Sequence, residues 1–232
     1  MIDFTIIENR YGKYAVSDKI YKDSCPVVKE LSKNKIWEDN TIKFVLENIN
    51  NKSIVHAGTY FGDMLPAFSK STKGKVFAFE ANPESAKCAK KTIEINDLKN
   101  IIFYEMGLGD NISKGNLIYE YEEGKSLGGG TRFDLNNQEE SRYTLKSNKR
   151  KKINITTIDS IVNEEISIIQ LDIEGFEMKA LKGGIKSIQK YKPILILENV
   201  DGNEDFMQSD ILPLGYKKFN KVDENTLWKV NG

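Results

Sequence analysis

Two groups of residues have the types and spacing that binding or catalysis would need. The first is the loop 56–63, His-Ala-Gly-Thr-Tyr-Phe-Gly-Asp, with Glu80 lying 22 residues after Gly58. Glycine lets the backbone turn sharply and approach a ligand without a Cβ in the way. An acid that ends the next strand can bind both hydroxyls of an adenosine ribose, because a carboxylate offers two acceptor oxygens. This group predicts a nucleoside-containing ligand.

Two cofactors compete for this loop. A nicotinamide dinucleotide is usually bound by a G-x-G-x-x-G loop, in which the glycines leave room for a pyrophosphate. Here the bulky Tyr60 and Phe61 occupy that space. S-adenosylmethionine carries no phosphate and needs less room. The loop therefore favours S-adenosylmethionine and leaves a nicotinamide-dependent oxidoreductase as the alternative enzyme.

The second group is Asp172-Ile173-Glu174-Gly175, directly after the apolar run 166–171. Carboxylates at the C-terminal end of a parallel strand lie in the crevice where doubly wound sheets bind ligands, and there they can act as general bases. Alternatively, Asp172 or Glu174 caps a helix that begins near Gly175 by accepting its free N–H groups. The pattern alone does not separate these two roles.

The elements that must position both groups follow an alternating pattern. Short, nearly continuous apolar runs indicate parallel strands covered on both faces, at 53–57, 75–80, 101–105, 166–171 and 194–197. Asn82-Pro83 predicts a helix start, with Asn as the N-cap. The segments 216–219 and 226–230 predict a closing hairpin. We therefore predict a doubly wound, mostly parallel, seven-stranded α/β sheet that ends in an antiparallel hairpin.

The first 50 residues are predicted to form a small extension of this core. Residues 2–18 predict a β-hairpin, and residues 25–50 predict helix, with apolar residues including Trp37 near a 3.6-residue period. We accordingly divide the chain into an N-terminal hairpin and helices, 1–50, and a cofactor-binding domain, 51–232. The glycine-rich region 107–156 is expected to carry one or two strands and a long mobile loop. Within it, 126–132 is a candidate lid over the acceptor.

Several segments resemble the FkbM family of methyltransferases. Residues 171–184 are similar to its fourth-strand signature, D-x-E-G-x-E-x-x-x-L-x-G. Further similar segments follow in the family's order at 55–63, 76–83, 107–110, 157–160 and 193–198. The resemblance implies a Rossmann-like class I methyltransferase fold with S-adenosylmethionine as cofactor. It also implies, most often, O-methylation of a hydroxyl on a sugar, a glycan or a natural product.

The residue types and the resemblance together predict site roles. A carboxylate acts as general base, with Asp172 and Glu174 as candidates and Glu198 behind them. Glu80 binds the ribose. No metal is expected, because Asp172-Ile173-Glu174 does not reproduce the spacing of metal-dependent catechol-type enzymes. The predicted cofactor-binding residues are His56, Gly58, Thr59, Tyr60, Gly62, Asp63, Glu80, Ala81, Asn82, Met106, Gly107 and Asp172.

Two positions depart from the family pattern. His56, the one histidine of the sequence, stands where the family usually has an acid that helps to hold the methionyl end of the cofactor. Three interpretations stay open: an altered cofactor contact, a packed histidine at a strand end, and a catalytic base. Gln170 stands where the family often has lysine. The departure at His56 also motivates a non-enzymatic alternative, a degenerate methyltransferase fold that serves as a binding module.

Composition limits the partners. The sequence has 34 basic and 34 acidic residues, so no global field favours nucleic acid or an anionic membrane. The basic run 146–152 is interpreted as a solvated loop. No apolar stretch approaches the ~18 residues of a membrane span. We expect a cytoplasmic enzyme that acts on a small-molecule or saccharide hydroxyl acceptor, without nucleic acid or a membrane span. Association into a homo-oligomer is left open.

Overall fold

The computed structural model describes residues 3–22, 26–120, 127, 130–133, 150–198 and 204–230. The strands are β1 (Phe4–Glu8), β2 (Lys13–Ser17), β3 (Ser53–Ala57), β4 (Val76–Phe79), β5 (Ile101–Tyr104), β6 (Gly107–Leu108), β7 (Ser113–Ile118), β8 (Arg132–Phe133), β9 (Arg150–Thr156), β10 (Ile166–Leu171), β11 (Ile194–Glu198), β12 (Tyr216–Val222) and β13 (Asn225–Val230). The helices are α1 (Asp18–Lys22), α2 (Pro26–Ser32), α3 (Asp39–Asn48), α4 (Leu65–Ser71), α5 (Pro83–Ile95), α6 (Ile158–Ile161), α7 (Glu177–Lys182), α8 (Ile185–Tyr191) and α9 (Glu204–Phe206). A π-helical turn (Met207–Ile211) and a 3-10 turn (Leu212–Leu214) follow α9.

The central sheet has seven strands in the order β12-β13-β11-β10-β3-β4-β5. The five strands from β11 to β5 are parallel, and β13 pairs antiparallel with both β11 and β12. This confirms the predicted mostly parallel sheet with its closing hairpin. The chain moves from β3 towards β4 and β5, and later from β10 towards β11, so the strand order reverses between β3 and β10. Ligands of doubly wound sheets bind at such a switch point.

Both faces of the sheet are covered, which explains the continuous apolar runs. One face carries Val55 and Ile169 and packs in a cluster with residues of α6, α7 and α8. The other face carries Ile54 and Ile168 and packs with residues of α3 and α4. Alternate side chains of a strand point to opposite faces, so each strand needs apolar residues at successive positions.

The N-terminal extension departs from its prediction in one respect. The hairpin of β1 and β2 forms as expected and lies on α5, where the backbone N–H of Ala15 donates to Thr92 Oγ1 at 3.0 Å. Residues 25–50, however, do not form one helix, because α2 ends at Ser32 and α3 begins at Asp39. Asn34 and Glu38 have left-handed φ angles of 59° and 49°, which interrupt the helical hydrogen-bond ladder. Trp37 consequently lies outside a helix and is 38% exposed.

The region 107–156 contains more strands than the one or two expected. β6, β9, β7 and β8 form a second sheet in that order. Its glycines make room for Phe133, since a Cβ on Gly107 would lie 2.5 Å from the Phe133 ring. Of the predicted lid, residues 126, 128 and 129 lie outside the described residues. Of the basic run, 146–149 lie outside them, while 150–152 are exposed and begin β9.

Across the described ranges, no helix combines the length and the apolar character that crossing a bilayer requires.

Candidate active site

A cavity of about 460 Å³ opens at the carboxyl ends of β3, β4, β10 and β11. This volume lies in the range of roughly 300–1,000 Å³ typical of small-molecule sites. The structure brings both predicted groups of residues together here. The predicted residues that line the cavity are His56, Gly58, Tyr60, Asp63, Glu80, Ala81, Met106, Gly107, Asp172, Glu174 and Glu198.

Gly58 allows the ends of β3 and β10 to approach each other closely. Its φ is +83°, and a Cβ at this position would lie 1.7 Å from the backbone oxygen of Asp172. The N–H of Gly58 donates to the carbonyl of Phe79 at 3.0 Å, which ties the same turn to β4. Any side chain here would collide with backbone, so the glycine is required by the fold and also leaves the floor of the cavity open.

Glu80 is fixed by the backbone around it. Its Oε2 accepts from the N–H of Tyr60 at 2.7 Å, and its Oε1 accepts from the N–H of Asn82 at 2.7 Å. Burial raises the pKa of this carboxyl to about 7, although the backbone N–H groups act in the opposite direction. A carboxylate offers about four lone-pair sites, more than the backbone N–H groups of Tyr60, Ala81 and Asn82 occupy. The remaining acceptor capacity suits a ribose hydroxyl.

Three predicted cofactor residues do not line the cavity. Thr59 is fully buried. Gly62 has a φ of +85°, and a Cβ there would meet Leu65, Thr92 and Ala89, so it serves the packing of α4 and α5. Asn82 caps α5, because its Oδ1 accepts from the N–H of Glu84 at 2.9 Å, while its Nδ2 donates to Thr131 Oγ1. Thr131 does line the cavity, so Asn82 holds a part of the predicted lid in place.

His56 and Gln170 are neighbours in register on β3 and β10. His56 Nδ1 forms a hydrogen bond with Gln170 Oε1; in this orientation of the amide the oxygen accepts, which assigns the ring proton to Nδ1. Burial lowers the pKa of His56 to about 4, so the ring is neutral at pH 7. Its Nε2 therefore carries a lone pair, for which the described part of the chain supplies no partner.

These properties bear on the three interpretations of His56. The ring packs edge-on against Phe68, with 5.2 Å between the centroids, and the residue is 2% exposed. It is thus packed at a strand end and still lines the cavity. A pKa of about 4 makes it a weak general base near neutral pH. A packed residue with one free acceptor atom agrees best with its surroundings.

Asp172, Glu174 and Glu198 meet at the other side of the cavity. One carboxylate oxygen from each lies within 4.8 Å of the others. Burial raises the pKa of Asp172 well above its ordinary value, and the hydrogen bond and charge of Glu198 raise it further. A hydrogen bond between two carboxyls requires a proton on one of them. This spacing would also suit a cation, so the absence of a metal stays a prediction.

The alternative role for these acids was to cap a helix. The helix α7 begins at Glu177, and its N-cap residue, Phe176, provides no side-chain capping hydrogen bond. Glu177 Oε1 accepts from the N–H of Ile173 at 2.9 Å and of Gly175 at 3.3 Å, which lie in the turn before the helix. Asp172 and Glu174 line the cavity.

Among the residues of the cavity that were not foreseen are Trp37, Glu38 and Glu224. Trp37 and Glu38 come from the break between α2 and α3, and Glu224 comes from the turn between β12 and β13. Burial raises the pKa of Glu38 to about 7, and nearby carboxylates add to the effect. The sequence gives no local signal for these residues, because Trp37 fits the helical period and the other two resemble ordinary surface acids.

Hydrogen bonds join the two segments that carry these residues. Asp223 Oδ2 accepts from the N–H and the Oγ1 of Thr41, at 2.8 and 3.0 Å, and its Oδ1 accepts from Asn40 Nδ2 at 2.9 Å. Asn225 Nδ2 donates to Glu38 Oε2 at 2.8 Å. The start of α3 and the closing hairpin therefore form one wall of the cavity, although they lie about 180 residues apart in the chain.

Comparisons with known proteins agree with this arrangement. A family model described as the methyltransferase FkbM domain matches residues 56–224. The structure of methyltransferase FkbM from Methylobacillus flagellatus KT is similar with a TM-score of 0.50 and 18% identity, over 76% of this chain and 43% of that one. No curated protein matches the chain.

Two further solved structures are methyltransferases in complex with S-adenosylhomocysteine. The tRNA (uracil-54, C5)-methyltransferase of Pyrococcus abyssi has a TM-score of 0.49 and 12% identity, over 97% of this chain and 43% of that one. A putative methyltransferase from Streptococcus mutans has a TM-score of 0.44 and 14% identity, over 82% of this chain and 94% of that one. The chain spans less than half the length of the Methylobacillus and Pyrococcus proteins. Together with the sheet order, the likeness to the Methylobacillus structure supports the class I methyltransferase fold.

Proposed function

Because the chain belongs to the FkbM family of methyltransferases, we propose that it transfers a methyl group from S-adenosylmethionine to a hydroxyl of a sugar, a glycan or a natural product. The observation that carries this proposal is the pair of carboxylate arrangements in one cavity. Glu80 is held by backbone N–H groups on one side, and the Asp172–Glu198 pair lies on the other. The first suits a ribose, and the second suits the removal of a proton.

The cofactor end of the cavity, defined by Gly58, Asp63 and Glu80, would hold S-adenosylmethionine. Glu80 would bind the ribose hydroxyls, and the Gly58 turn would lie beside the methionyl part. Ala81 and Met106 line the same side and are the candidates for the adenine. When bound, the cofactor supplies a methyl group on a positively charged sulfur, which makes that methyl an electrophile. Asp63 lines the same end; burial raises its pKa to about 7, and a positively charged ligand would favour its ionised form.

The acceptor end is defined by Trp37, Glu38, Asp172, Glu198 and Glu224. We assign the general base to Asp172 in the ionised form of the pair: it takes the proton of the acceptor hydroxyl, and that proton then lies in its hydrogen bond to Glu198. A base with a raised pKa removes a proton from an alcohol more effectively than an ordinary carboxylate. The fixed wall formed by α3 and the closing hairpin would orient the acceptor, and orientation alone contributes effective molarities of about 10⁵–10⁸ M in favourable cases.

Calorimetry with S-adenosylhomocysteine and turnover with labelled S-adenosylmethionine, over a panel of hydroxyl-bearing glycosides and natural products, test the proposal. Asp172→Asn should lower turnover by about 10²–10⁴-fold while the affinity for S-adenosylhomocysteine is retained. The matched control is Asp110→Asn, since Asp110 is exposed and lies outside the cavity. Unchanged turnover in both Asp172→Asn and Glu174→Gln would remove the assignment of the base.

The earlier alternatives become outcomes of the same experiments. A thermal shift with NAD and none with S-adenosylhomocysteine would favour the oxidoreductase, since a ligand that binds only the native state raises the melting temperature. If neither ligand binds at saturation, the chain is a binding module on a methyltransferase fold. A cytoplasmic location, an acceptor other than nucleic acid and association into a homo-oligomer remain parts of the proposal to be tested directly.

A further inference from the structure

Two buried polar side chains on the floor of the cavity each have an atom without a partner. His56 is 2% exposed, Gln170 is 0% exposed, and both line the cavity. They are neighbours in register on β3 and β10, and a hydrogen bond joins His56 Nδ1 to Gln170 Oε1. The described part of the chain supplies no partner for the Nε2 atom of either residue. Buried polar groups are rarely left unpaired, so these two residues, the floor pair, indicate a ligand that completes them.

The floor pair offers one donor and one acceptor. Gln170 Nε2 donates, and the neutral His56 ring accepts at its Nε2. The opposite orientation of the amide would exchange these roles, and it would again leave one donor and one acceptor. An occupant that completes both atoms therefore donates at one position and accepts at the other. The two positions lie on neighbouring strands, which are about 4.8 Å apart in a sheet.

The order of the strands indicates which part of a ligand reaches the floor pair. In the sheet, β3 lies between β4, which Glu80 follows directly, and β10, which Asp172 follows directly. In the proposed function Glu80 binds the ribose and Asp172 faces the reacting hydroxyl, so the sulfur of the cofactor lies between them. The amino-acid end attached to that sulfur then lies over the ends of β3 and β10. This end has an ammonium, which donates, and a carboxylate, which accepts.

We infer that the floor pair binds the amino-acid end of S-adenosylmethionine, with the α-ammonium donating to His56 Nε2 and the α-carboxylate accepting from Gln170 Nε2. Asp63, which lines the same end, supplies a negative charge for the ammonium. The uncharged pair adds no net charge beside a zwitterion, and it selects ligands that carry both groups. This inference rests on the proposed function in taking S-adenosylmethionine as the cofactor.

Four ligands that share the adenosine and the thioether test the floor pair by calorimetry. They are S-adenosylhomocysteine, its decarboxylated analogue, its deaminated analogue, and methylthioadenosine, which lacks both groups. Removal of either group from S-adenosylhomocysteine should lower the affinity by about tenfold, because a charge-assisted hydrogen bond is lost. Equal affinities of the four ligands would overturn the inference, because a water or an acceptor hydroxyl would then complete the floor pair.

Gln170→Met removes the donor and keeps a side chain of similar length. The affinities for S-adenosylhomocysteine and for the deaminated analogue should fall by about tenfold, whereas those for the two ligands without a carboxylate should not change. The matched control is Gln189→Met, at an exposed position on α8 outside the cavity, which should leave all four affinities unchanged. A role in folding alone would lower the four affinities together, and that result would overturn the inference.

His56→Phe removes the acceptor and keeps a ring that can pack against Phe68. The affinities for the two ligands that carry the ammonium should fall by about threefold, a smaller loss because Asp63 remains. The affinity for methylthioadenosine should not change. Equal losses for ligands with and without the ammonium would contradict the assignment of His56.

Nuclear magnetic resonance of the native chain tests the same contact without a substitution. His56 is the one histidine of the sequence, so its two ring nitrogens can be observed without overlap from other histidines. The Nε2 resonance should shift when S-adenosylhomocysteine or its decarboxylated analogue binds, and it should stay in place with methylthioadenosine. An Nε2 resonance that does not respond to the ammonium, or a ring proton on Nε2 in the complex, would overturn the assignment of the ammonium to His56.

Failure of this inference can be distinguished from failure of the proposed function. If none of the four ligands binds, the proposed function fails and the inference fails with it. If S-adenosylhomocysteine binds but the native chain does not discriminate among the four ligands, the proposed function stands and the inference alone fails. If the native chain discriminates and neither Gln170→Met nor His56→Phe alters the discrimination, other residues bind the amino-acid end and the inference again fails alone.

Discussion

The cofactor end and the acceptor end of the cavity are built in different ways. The cofactor end comes from one short stretch of chain, in which β3, its glycine turn and β4 lie within 30 residues of one another. Its carboxylate, Glu80, is held by two backbone N–H groups. The acceptor end gathers residues from α3, β10, β11 and the final hairpin turn, and its carboxylates face one another. One end is fixed by backbone geometry, and the other by long-range contacts between side chains.

This difference predicts how well each end of the cavity should tolerate substitutions. Backbone geometry leaves little freedom, so a change at the cofactor end should cost stability and cofactor affinity together. At the acceptor end, acids that repel one another already oppose folding, so removing a single charge should be tolerated or even favourable. The following substitutions examine that contrast, beginning with the largest expected effect.

Gly58→Ala should lower the free energy of unfolding by about 3 kcal/mol or more, because it adds a clash with backbone to a strained φ angle. The measurement is urea-induced unfolding. Gly175→Ala is the matched control: its φ is +93°, but a Cβ there meets no atom within 4 Å. The free energy of unfolding of the control should fall by only about 1–2 kcal/mol, because its alanine must adopt the left-handed conformation. Equal losses in both variants would show that the approach of β3 to β10 is not rigid.

Glu80→Gln should lower the free energy of unfolding by about 1–3 kcal/mol, because an amide has one acceptor oxygen and leaves a buried N–H unsatisfied. The affinity for S-adenosylhomocysteine should fall by about tenfold in calorimetry, through the loss of a charge-assisted hydrogen bond to the ribose. Glu94→Gln, at an exposed position near the end of α5, should leave both quantities unchanged. Unaltered affinity in Glu80→Gln would remove the ribose contact.

Glu38→Gln should make the protein more stable, by an amount that depends on pH. Burial raises the folded-state pKa of Glu38 from 4.5 to about 7, so its contribution is fully present below pH 4.5 and is lost as the pH rises towards 7. The glutamine does not titrate and can still accept from Asn225. The free energy of unfolding of the variant, relative to that of the native chain, should therefore rise by about 1–2 kcal/mol between acid and neutral pH.

Urea unfolding across this pH range measures the effect of Glu38→Gln. The control is Glu47→Gln, whose free energy of unfolding should show the same pH dependence as that of the native chain. A difference in the free energy of unfolding that stays constant across this pH range would mean that neither burial nor the nearby carboxylates raise the pKa of Glu38.

Asp223→Asn should have the smallest effect, a loss of about 1 kcal/mol, because one acceptor for the start of α3 disappears. The affinity for S-adenosylhomocysteine should not change, because Asp223 does not line the cavity. Urea unfolding measures the stability and calorimetry measures the affinity, with Asp110→Asn as the surface control. A loss of affinity for S-adenosylhomocysteine would contradict the separation of the two ends.

Much of the sheet followed from local patterns. The apolar runs predicted the parallel strands of the core, and Asn82-Pro83 predicted the start of α5 with its cap. The helical prediction for 25–50 is confirmed by α2 and α3 but missed the break between them, because the periodicity of apolar residues does not reveal left-handed residues such as Asn34 and Glu38. The region 107–156 was under-predicted, since its strands are short and pair with residues far along the chain.

The sequence by itself determined the cofactor end and the acids that follow β10. Gly58, Glu80 and these acids follow strands whose apolar pattern is local, and the carboxyl ends of parallel strands necessarily meet at one edge of the sheet. Only the tertiary structure decided the rest of the acceptor end. Trp37, Glu38 and Glu224 reach the cavity because Asp223 and Asn225 bind the start of α3, and such contacts between distant segments leave no periodic signal in the sequence. The charge and shape of that end therefore arise from how the chain closes on itself.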